Sequence, residues 1–197
     1  MSEQRFPPIA AEDMNEAQRA LAQTIASGPR GGVRGPFLAL MHHPVLADRL
    51  QALGEHLRYG TGMPDPLVEL AIIVTARHWG CQYEWVAHER LARKAGLDPA
   101  IIDAVAKGEV PSAMSEDEAT VHAFCREALE QGEPSAARYD AAVARFGRTG
   151  VLDLLALCGY YGLLATVLNT ANPPLPDGIA PPLGALPHRP GLPRRQL

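Results

Sequence analysis

The feature that most constrains the fold is a series of helix-favouring segments separated by glycine and proline. Alanine and leucine recur along the whole chain, aromatic residues make up only 6 %, and no segment alternates β-branched with polar residues. This composition favours helices over strands. Asp98-Pro99 has the residues that start a helix, and Gly96 has the residue type that ends one. The sequence therefore predicts an all-α bundle.

The predicted helices span, in chain order, residues 15–27, 36–42, 45–59, 65–79, 81–95, 99–107, 115–131, 135–146 and 149–170. The last one holds an apolar stretch, 151–168, close to the roughly 18 residues of a membrane span. Asp153 and two glycines interrupt this stretch, so we interpret it as a helix buried in protein. Residues 1–171 are then one all-α domain.

The C-terminal segment differs in kind from the rest of the chain. Residues 172–197 contain 8 of the 18 prolines. Proline removes a backbone donor and fixes its own backbone angle, so such a segment does not continue as a helix. We predict a proline-rich extended tail that wraps a surface or frays.

The charge balance and the cysteines narrow the class of protein. Lys+Arg 18 against Asp+Glu 22 gives a net charge of −4, which argues against binding to nucleic acid or to an anionic membrane. Cys81, Cys125 and Cys158 have neither the spacing of a zinc site nor that of a disulfide framework. The first residues, MSEQRFPPIAAEDM, lack the apolar core of a secretory signal. We therefore expect a cytoplasmic protein that acts on a small molecule and holds no metal.

The segment 69–88 holds the densest group of polar side chains in an apolar setting. Four residues share one helical stripe, with the spacing i, i+3, i+4 and i+7: Cys81, Glu84, Trp85 and His88. Glu84 and His88 are within hydrogen-bonding reach of each other, which would make them a proton-transfer pair. Cys81 follows a glycine near a helix N-terminus, where the dipole favours a thiolate. Glu69 leads into an apolar run and is expected to point at the same site.

Each of these residues also has a purely structural interpretation. A Glu–His pair four residues apart is common on solvated helix faces, and a tryptophan such as Trp85 most often anchors a core. A solitary cysteine is usually an inert buried thiol. Glu69 lies in the first turn after a proline, where it could partner the helix dipole. The spacing of the whole set is what favours a functional site.

As a set, Glu69-x11-Cys81-x2-Glu84-x3-His88 resembles the active-site signature of the carboxymuconolactone decarboxylase / alkylhydroperoxidase D superfamily. The peroxidase branch has Glu-x11-Cys-x2-Cys-x3-His, so Glu84 stands where its second cysteine would be. The decarboxylase branch carries a Glu-x3-His pair, which Glu84 and His88 match within a Tyr-Glu-Trp-x-x-His core. The resemblance covers roughly residues 34–185. It implies an alkylhydroperoxidase D-like helical bundle and a homo-oligomer, whether dimer, trimer or hexamer.

The departure at position 84 bears on the reaction. A disulfide-cycling peroxidase needs two neighbouring thiols, and the motif here has only Cys81. We therefore expect a lyase of the decarboxylase type, or an isomerase, that uses acid–base chemistry on a small organic acid or lactone without a cofactor. His88 would be the general base or acid, Glu84 its partner, and Glu69 a second carboxylate of the relay.

Substrate contacts are expected from residues around this relay. Tyr83 or Tyr160 could donate a hydrogen bond to a developing enolate. An anionic substrate needs a cation, and the basic candidates are Arg34 in a glycine-rich loop and Arg58. Trp85 is the candidate for an apolar contact with the substrate.

Two other classes of function stay open. One is a peroxiredoxin-type peroxidase in which Cys81 reacts with a hydroperoxide and an external thiol resolves it. The other is a non-catalytic binding or scaffold protein, in which Glu84 and His88 form a buried structural pair. A metal site made by Glu69, Glu84 and His88 is a weaker idea, because the resemblance does not suggest a metal.

Overall fold

The structure is a computed structural model that describes residues 4–176 and 179–185. Within these ranges all regular elements are helical, so the predicted all-α class is confirmed. The α-helices are α1 Glu16–Ser27, α2 Pro36–Leu40, α3 Pro44–Glu55, α4 Asp65–Trp79, α5 Gln82–Ala95, α6 Pro99–Lys107, α7 Glu116–Gln131 and α8 Ala136–Ala171. A 3-10 turn, Ala11–Asp13, precedes α1, and a π-helical turn, His56–Gly60, follows α3.

Side-chain caps start several helices where the sequence placed them. Asp98 accepts a hydrogen bond from the backbone of Ala100 at 2.8 Å at the start of α6. Ser115 and Glu118 form a reciprocal capping box, in which the Ser115 backbone N–H donates to the Glu118 carboxylate at 2.7 Å. The helix predicted to start at residue 65 does so, with Asp65 as the first residue of α4. Pro64 takes the extended conformation of the cap position.

Helix α4 lies at the centre of the bundle and packs against α5, α7 and α8. All of its residues from Leu67 to Arg77 are buried. A helix that is buried on every side is apolar all round, which matches its run of leucine, isoleucine, valine and alanine. Glu69 lies in this run, so the fold holds a carboxylate inside its central helix.

Helix α8 is interrupted where the sequence predicted a break between residues 146 and 149. Gly147 has φ +67°, a left-handed conformation that a residue with a side chain rarely adopts. Among the described helices, α8 is the one whose length and hydropathy would suffice to cross a membrane, yet 56 % of its most apolar stretch is buried inside the protein. It packs along α4 and α7, as expected of a core helix.

The helix predicted over residues 45–59 changes character near its end. Helix α3 stops at Glu55, and the π-helical turn His56–Gly60 takes over. A π turn widens the helix and rotates the side chains that follow it, and such turns are frequent at functional sites. Arg58 lies in this turn, and its side chain is 15 % exposed.

The described part of the tail lies against the junction of α4 and α5. The Gln82 side chain accepts a hydrogen bond from the backbone N–H of Leu183 at 2.9 Å and donates one to the Leu183 carbonyl at 2.8 Å. Arg77 donates to the carbonyl of Gly184 at 2.8 Å. The Leu183 side chain is 2 % exposed and joins the main core. Residues 177–178 and 186–197 of the predicted tail are outside the described residues.

Candidate functional site

The centre of the site is a hydrogen bond between α4 and α5. Nδ1 of His88 donates to Oε2 of Glu69 across 2.7 Å, and both side chains are nearly buried. Glu69 points inward, as the sequence predicted. The partner expected for His88 was Glu84, four residues earlier, but the carboxyl group of Glu84 makes no hydrogen bond to the described residues. The packing of α4 against α5 presents the Glu69 carboxylate to the imidazole instead.

Arg58 lies on the other side of Glu69. Its Nη2 is 3.4 Å from Oε1 of Glu69, so each oxygen of this carboxylate faces one donor. The sequence suggested Arg58 as a cation for the substrate. The structure uses its guanidinium to hold the carboxylate that orients His88.

The imidazole is flanked by a pair of tyrosines from α8. The rings of His88 and Tyr161 meet edge to face, with centroids 5.0 Å apart, and the Tyr160 and Tyr161 rings do so at 5.2 Å. Burial raises the pKa of Tyr161 well above its usual value, so this phenol is neutral. Because Nδ1–H of His88 donates to Glu69, the basic nitrogen of the ring is Nε2.

Glu84 is a second carboxyl group in a different environment. It is 3 % exposed, and neither oxygen has a hydrogen-bond partner among the described residues. Burial raises its pKa well above the usual range of a carboxyl group. Burial thus favours the protonated form of Glu84, in which it can donate a proton, while Glu69 lies against two hydrogen-bond donors. Two carboxyl groups in such different environments are a known way to provide an acid and a base in one site.

Cys81 lies at the N-cap of α5, as the sequence predicted, and is 1 % exposed. It packs with Ala165 and Leu168 of α8 in a small apolar cluster, with Trp79 and Tyr83 against it. It is not in a disulfide. As part of this cluster, Tyr83 lies beside the thiol. Among the described residues it makes no hydrogen bond to Glu69 or His88.

The other two cysteines meet each other between α7 and α8. A hydrogen bond between the two thiols, together with burial, raises the pKa of Cys125. The same hydrogen bond lowers the pKa of Cys158, against the opposite effect of burial. Both belong to the main core, whereas Cys81 belongs to the separate cluster beside Tyr83. The packing thus gives Cys81 no thiol neighbour in its own cluster.

The remaining candidates divide between the core and the surface. Trp85 is 1 % exposed and belongs to the main core, and Tyr160 is 4 % exposed beside Tyr161. Arg34 is exposed. Arg30, four residues earlier in the same glycine-rich loop, has buried nitrogens instead. Sequence reasoning missed Arg30 and Tyr161. Only the packing shows which arginine of the loop turns inward and which of the two adjacent tyrosines contacts His88.

Both the sequence and the fold are similar to those of known proteins. Residues 44–127, from α3 into α7, match the model of the carboxymuconolactone decarboxylase family. The fold is similar to a crystal structure described as an alkylhydroperoxidase D core, an uncharacterised peroxidase-related protein from Ralstonia eutropha JMP134. The two share 20 % identity with a TM-score of 0.73, over 90 % of this chain and 95 % of that one. No curated protein sequence matches.

Proposed function

Because residues 44–127 match the model of the carboxymuconolactone decarboxylase family and the fold is similar to that of an alkylhydroperoxidase D core, we propose that the chain is an acid–base enzyme acting on a small organic acid or lactone. The reaction is a decarboxylase-like elimination of carbon dioxide or an isomerisation, and it uses no cofactor. The observation that carries the proposal is the 2.7 Å hydrogen bond from His88 to Glu69, with the buried, protonated Glu84 on the same helix as the histidine.

In an isomerisation, Nε2 of His88 removes a proton from the carbon next to a substrate carbonyl. The C–H electron pair forms a carbon–carbon double bond, and the carbonyl π pair moves to the oxygen, which takes the proton of Glu84. In a substrate with a double bond beyond that carbon, a dienol results. Return of a proton from His88 to a different carbon, and of the enol proton to Glu84, completes the isomerisation. Glu69 stabilises the imidazolium that forms in between.

In a decarboxylation, the bond to the substrate carboxylate breaks and carbon dioxide leaves. The electron pair stays on the substrate carbon, delocalised into a neighbouring carbonyl. Glu84 then protonates that carbon, and solvent returns the proton to Glu84. This role suits a carboxyl group that burial keeps neutral.

A second candidate is a one-cysteine peroxidase. The position of Cys81 at the N-cap of α5 favours it, because the helix dipole stabilises a thiolate. The sulfur would attack the peroxide, release an alcohol and become a sulfenic acid, which two equivalents of an external thiol would reduce. Cys81 is only 1 % exposed and packs among apolar side chains, which disfavours the access of a hydroperoxide to its sulfur.

One pair of assays separates the two candidates. Hydroperoxide reduction with dithiothreitol is measured on the wild type and Cys81→Ser. Exchange of carbon-bound hydrogen with deuterated water is measured on a panel of keto acids and lactones, with wild type, His88→Gln and the control Glu89→Gln. We expect exchange that His88→Gln abolishes and Glu89→Gln retains. Peroxide turnover that disappears in Cys81→Ser would sink the acid–base proposal.

A further inference from the structure

Three polar side chains around Tyr160 have buried atoms that complete no hydrogen bond of normal geometry in the described part of the chain: Arg30 at Nε and Nη2, Tyr160 at its hydroxyl, which lies against Arg30, and Glu84 at both carboxyl oxygens. Tyr160 is 4 % exposed and Glu84 is 3 % exposed. Folded proteins satisfy the great majority of buried polar atoms. A group of unsatisfied atoms in one place therefore indicates that a ligand completes it.

Two of these atoms converge on one point above α3. A methyl group at Gly54 would overlap both the Tyr160 hydroxyl and Nη2 of Arg30. The glycine thus leaves the space in which the phenol and the guanidinium approach the helix backbone. Burial raises the pKa of Tyr160, and the nearby positive charge of Arg30 works against that increase. The geometry and the electrostatics agree that Arg30 faces this hydroxyl.

The guanidinium of Arg30 stacks on an aromatic ring, and no residue within 4–176 or 179–185 forms an ion pair with it. Its central carbon lies 4.8 Å from the centroid of the Phe37 ring. The two unpartnered donors, Nε–H and Nη2–H, project in parallel from one edge of the guanidinium plane. Such an edge matches the two oxygens of a carboxylate and binds them with two parallel hydrogen bonds.

Resting on the proposed acid–base function, we propose that Arg30 binds a carboxylate group of the substrate through Nε and Nη2, with the Tyr160 hydroxyl as a third donor. The site then offers a cation and a phenol, and burial disfavours a negative charge on the nearby Glu84. Such a set selects a monoanionic acid over its neutral counterpart.

The aromatic pair connects this anion site to the base. The Tyr160 and Tyr161 rings are 5.2 Å apart, and Tyr161 and His88 are 5.0 Å apart. A substrate whose carboxylate binds Arg30 would extend along Tyr161 towards His88. Arg30 is thus a specificity-determining residue, and it narrows the substrate class to acids that carry a free carboxylate away from the reacting carbon.

The first test is direct binding of small carboxylates by calorimetry at constant ionic strength. The probes are acetate, benzoate and succinate, with acetamide, benzamide and succinamide as neutral counterparts and inorganic phosphate as a different anion. We expect at least one carboxylate to bind ten times more tightly than its amide. No discrimination between acid and amide, or tighter binding of phosphate than of every carboxylate, would overturn the proposal.

The variants assign the binding to Arg30. Arg30→Gln should weaken carboxylate binding at least tenfold, whereas Arg34→Gln, which removes a charge from the exposed side of the same loop, should bind as the wild type does. Gly54→Ala fills the site from α3 and should weaken binding even if Arg30→Gln folds poorly. Equal affinity of Arg30→Gln and Arg34→Gln would refute the assignment.

A further variant keeps this proposal separate from the proposed function. His88→Gln should abolish hydrogen exchange and leave carboxylate binding within a few-fold of the wild type. If His88→Gln retains the exchange while Arg30→Gln loses binding, the acid–base function fails and the carboxylate site stands. If His88→Gln loses exchange and Arg30→Gln binds carboxylates normally, the carboxylate site fails and the acid–base function stands.

Discussion

His88 hydrogen-bonds to Glu69, nineteen residues earlier in the chain, and Glu84, its neighbour one helical turn away, stays without a described hydrogen bond. The two carboxyl groups therefore play different parts although they belong to the same residue type. Glu69 accepts hydrogen bonds and fixes the imidazole. Burial favours the neutral form of Glu84. The packing around each helix therefore makes Glu69 the partner of His88 and gives Glu84 a different chemical environment.

This pairing predicts an energetic coupling between His88 and Glu69. Glu69→Gln and His88→Gln should each lower the free energy of unfolding by about 1–3 kcal/mol, because each leaves a buried partner unsatisfied. The double variant should lose less than the sum, with a coupling of at least about 0.5 kcal/mol. Denaturant unfolding of the four proteins measures it. The same double-mutant cycle with Glu84→Gln in place of Glu69→Gln is the control. A larger coupling in that cycle would show that His88 pairs with Glu84 and not with Glu69.

Glu84 predicts a pH dependence of stability with a definite sign. Its pKa is raised in the folded state, so between the ordinary carboxyl value and that raised value the unfolded chain releases a proton that the folded chain keeps. Stability from this group is full at acid pH and decreases as pH rises, by up to about 1.4 kcal/mol per pH unit. Glu84→Gln should therefore gain stability over the wild type from pH 5 to 8. The exposed Glu12→Gln serves as the control, and a difference that does not grow with pH would contradict the burial argument.

The sequence predicted the helices well because their borders depend on local caps. Gly96, Ser115 and the break at Gly147 act through their own backbone or a neighbour three residues away. The π turn after α3 was not predictable, since no local residue pattern distinguishes it from the end of an α-helix.

The contacts within the candidate site followed only partly from the sequence. The resemblance to the superfamily signature put Glu69 and His88 in one motif, and helical periodicity put Glu84 on the same stripe as the histidine. Whether His88 bonds to a residue of its own helix or of the neighbouring one depends on how α4 packs on α5, which periodicity does not contain. The same holds for Arg30 and Arg34, whose surroundings in sequence are nearly alike.

A histidine outside the site predicts a pH dependence of the opposite sign. His122 in α7 is 4 % exposed, and burial, with the charge of Arg126, lowers its pKa to about 4. The unfolded chain takes up a proton below about pH 6.5 that the folded chain excludes. Stability should decrease by about 1–3 kcal/mol as pH falls from 6.5 to 4. In thermal unfolding, His122→Gln should reduce this loss of stability between pH 6.5 and 4, whereas the exposed control His56→Gln should not. An equal loss in the wild type and both variants would show that His122 is not the cause.

The described part of the tail predicts a contribution to stability from outside the bundle. Leu183 is 2 % exposed, and its backbone makes two hydrogen bonds to the side chain of Gln82. Leu183→Ala removes buried methyl groups and should cost about 2–4 kcal/mol of unfolding free energy. The matched control is Leu53→Ala, which truncates a side chain that is 43 % exposed. A loss no larger than in the control would show that the tail leaves the core in solution.

Exposed leucines on helix α8 lead us to expect that copies of the chain associate through this helix. Leu152 is 66 % exposed, and Leu155 and Leu163 are 39 % and 40 % exposed on the same helix. Large exposed apolar residues in a row favour burial against a partner, and a second copy offers the same surface. We expect a homo-oligomer in analytical ultracentrifugation, and Leu155→Glu with Leu163→Glu should reduce its mass. Val110→Glu changes a side chain that is 64 % exposed outside α8 and should leave the mass unchanged. A monomeric wild type, or a double variant with the wild-type mass, would contradict an interface on α8.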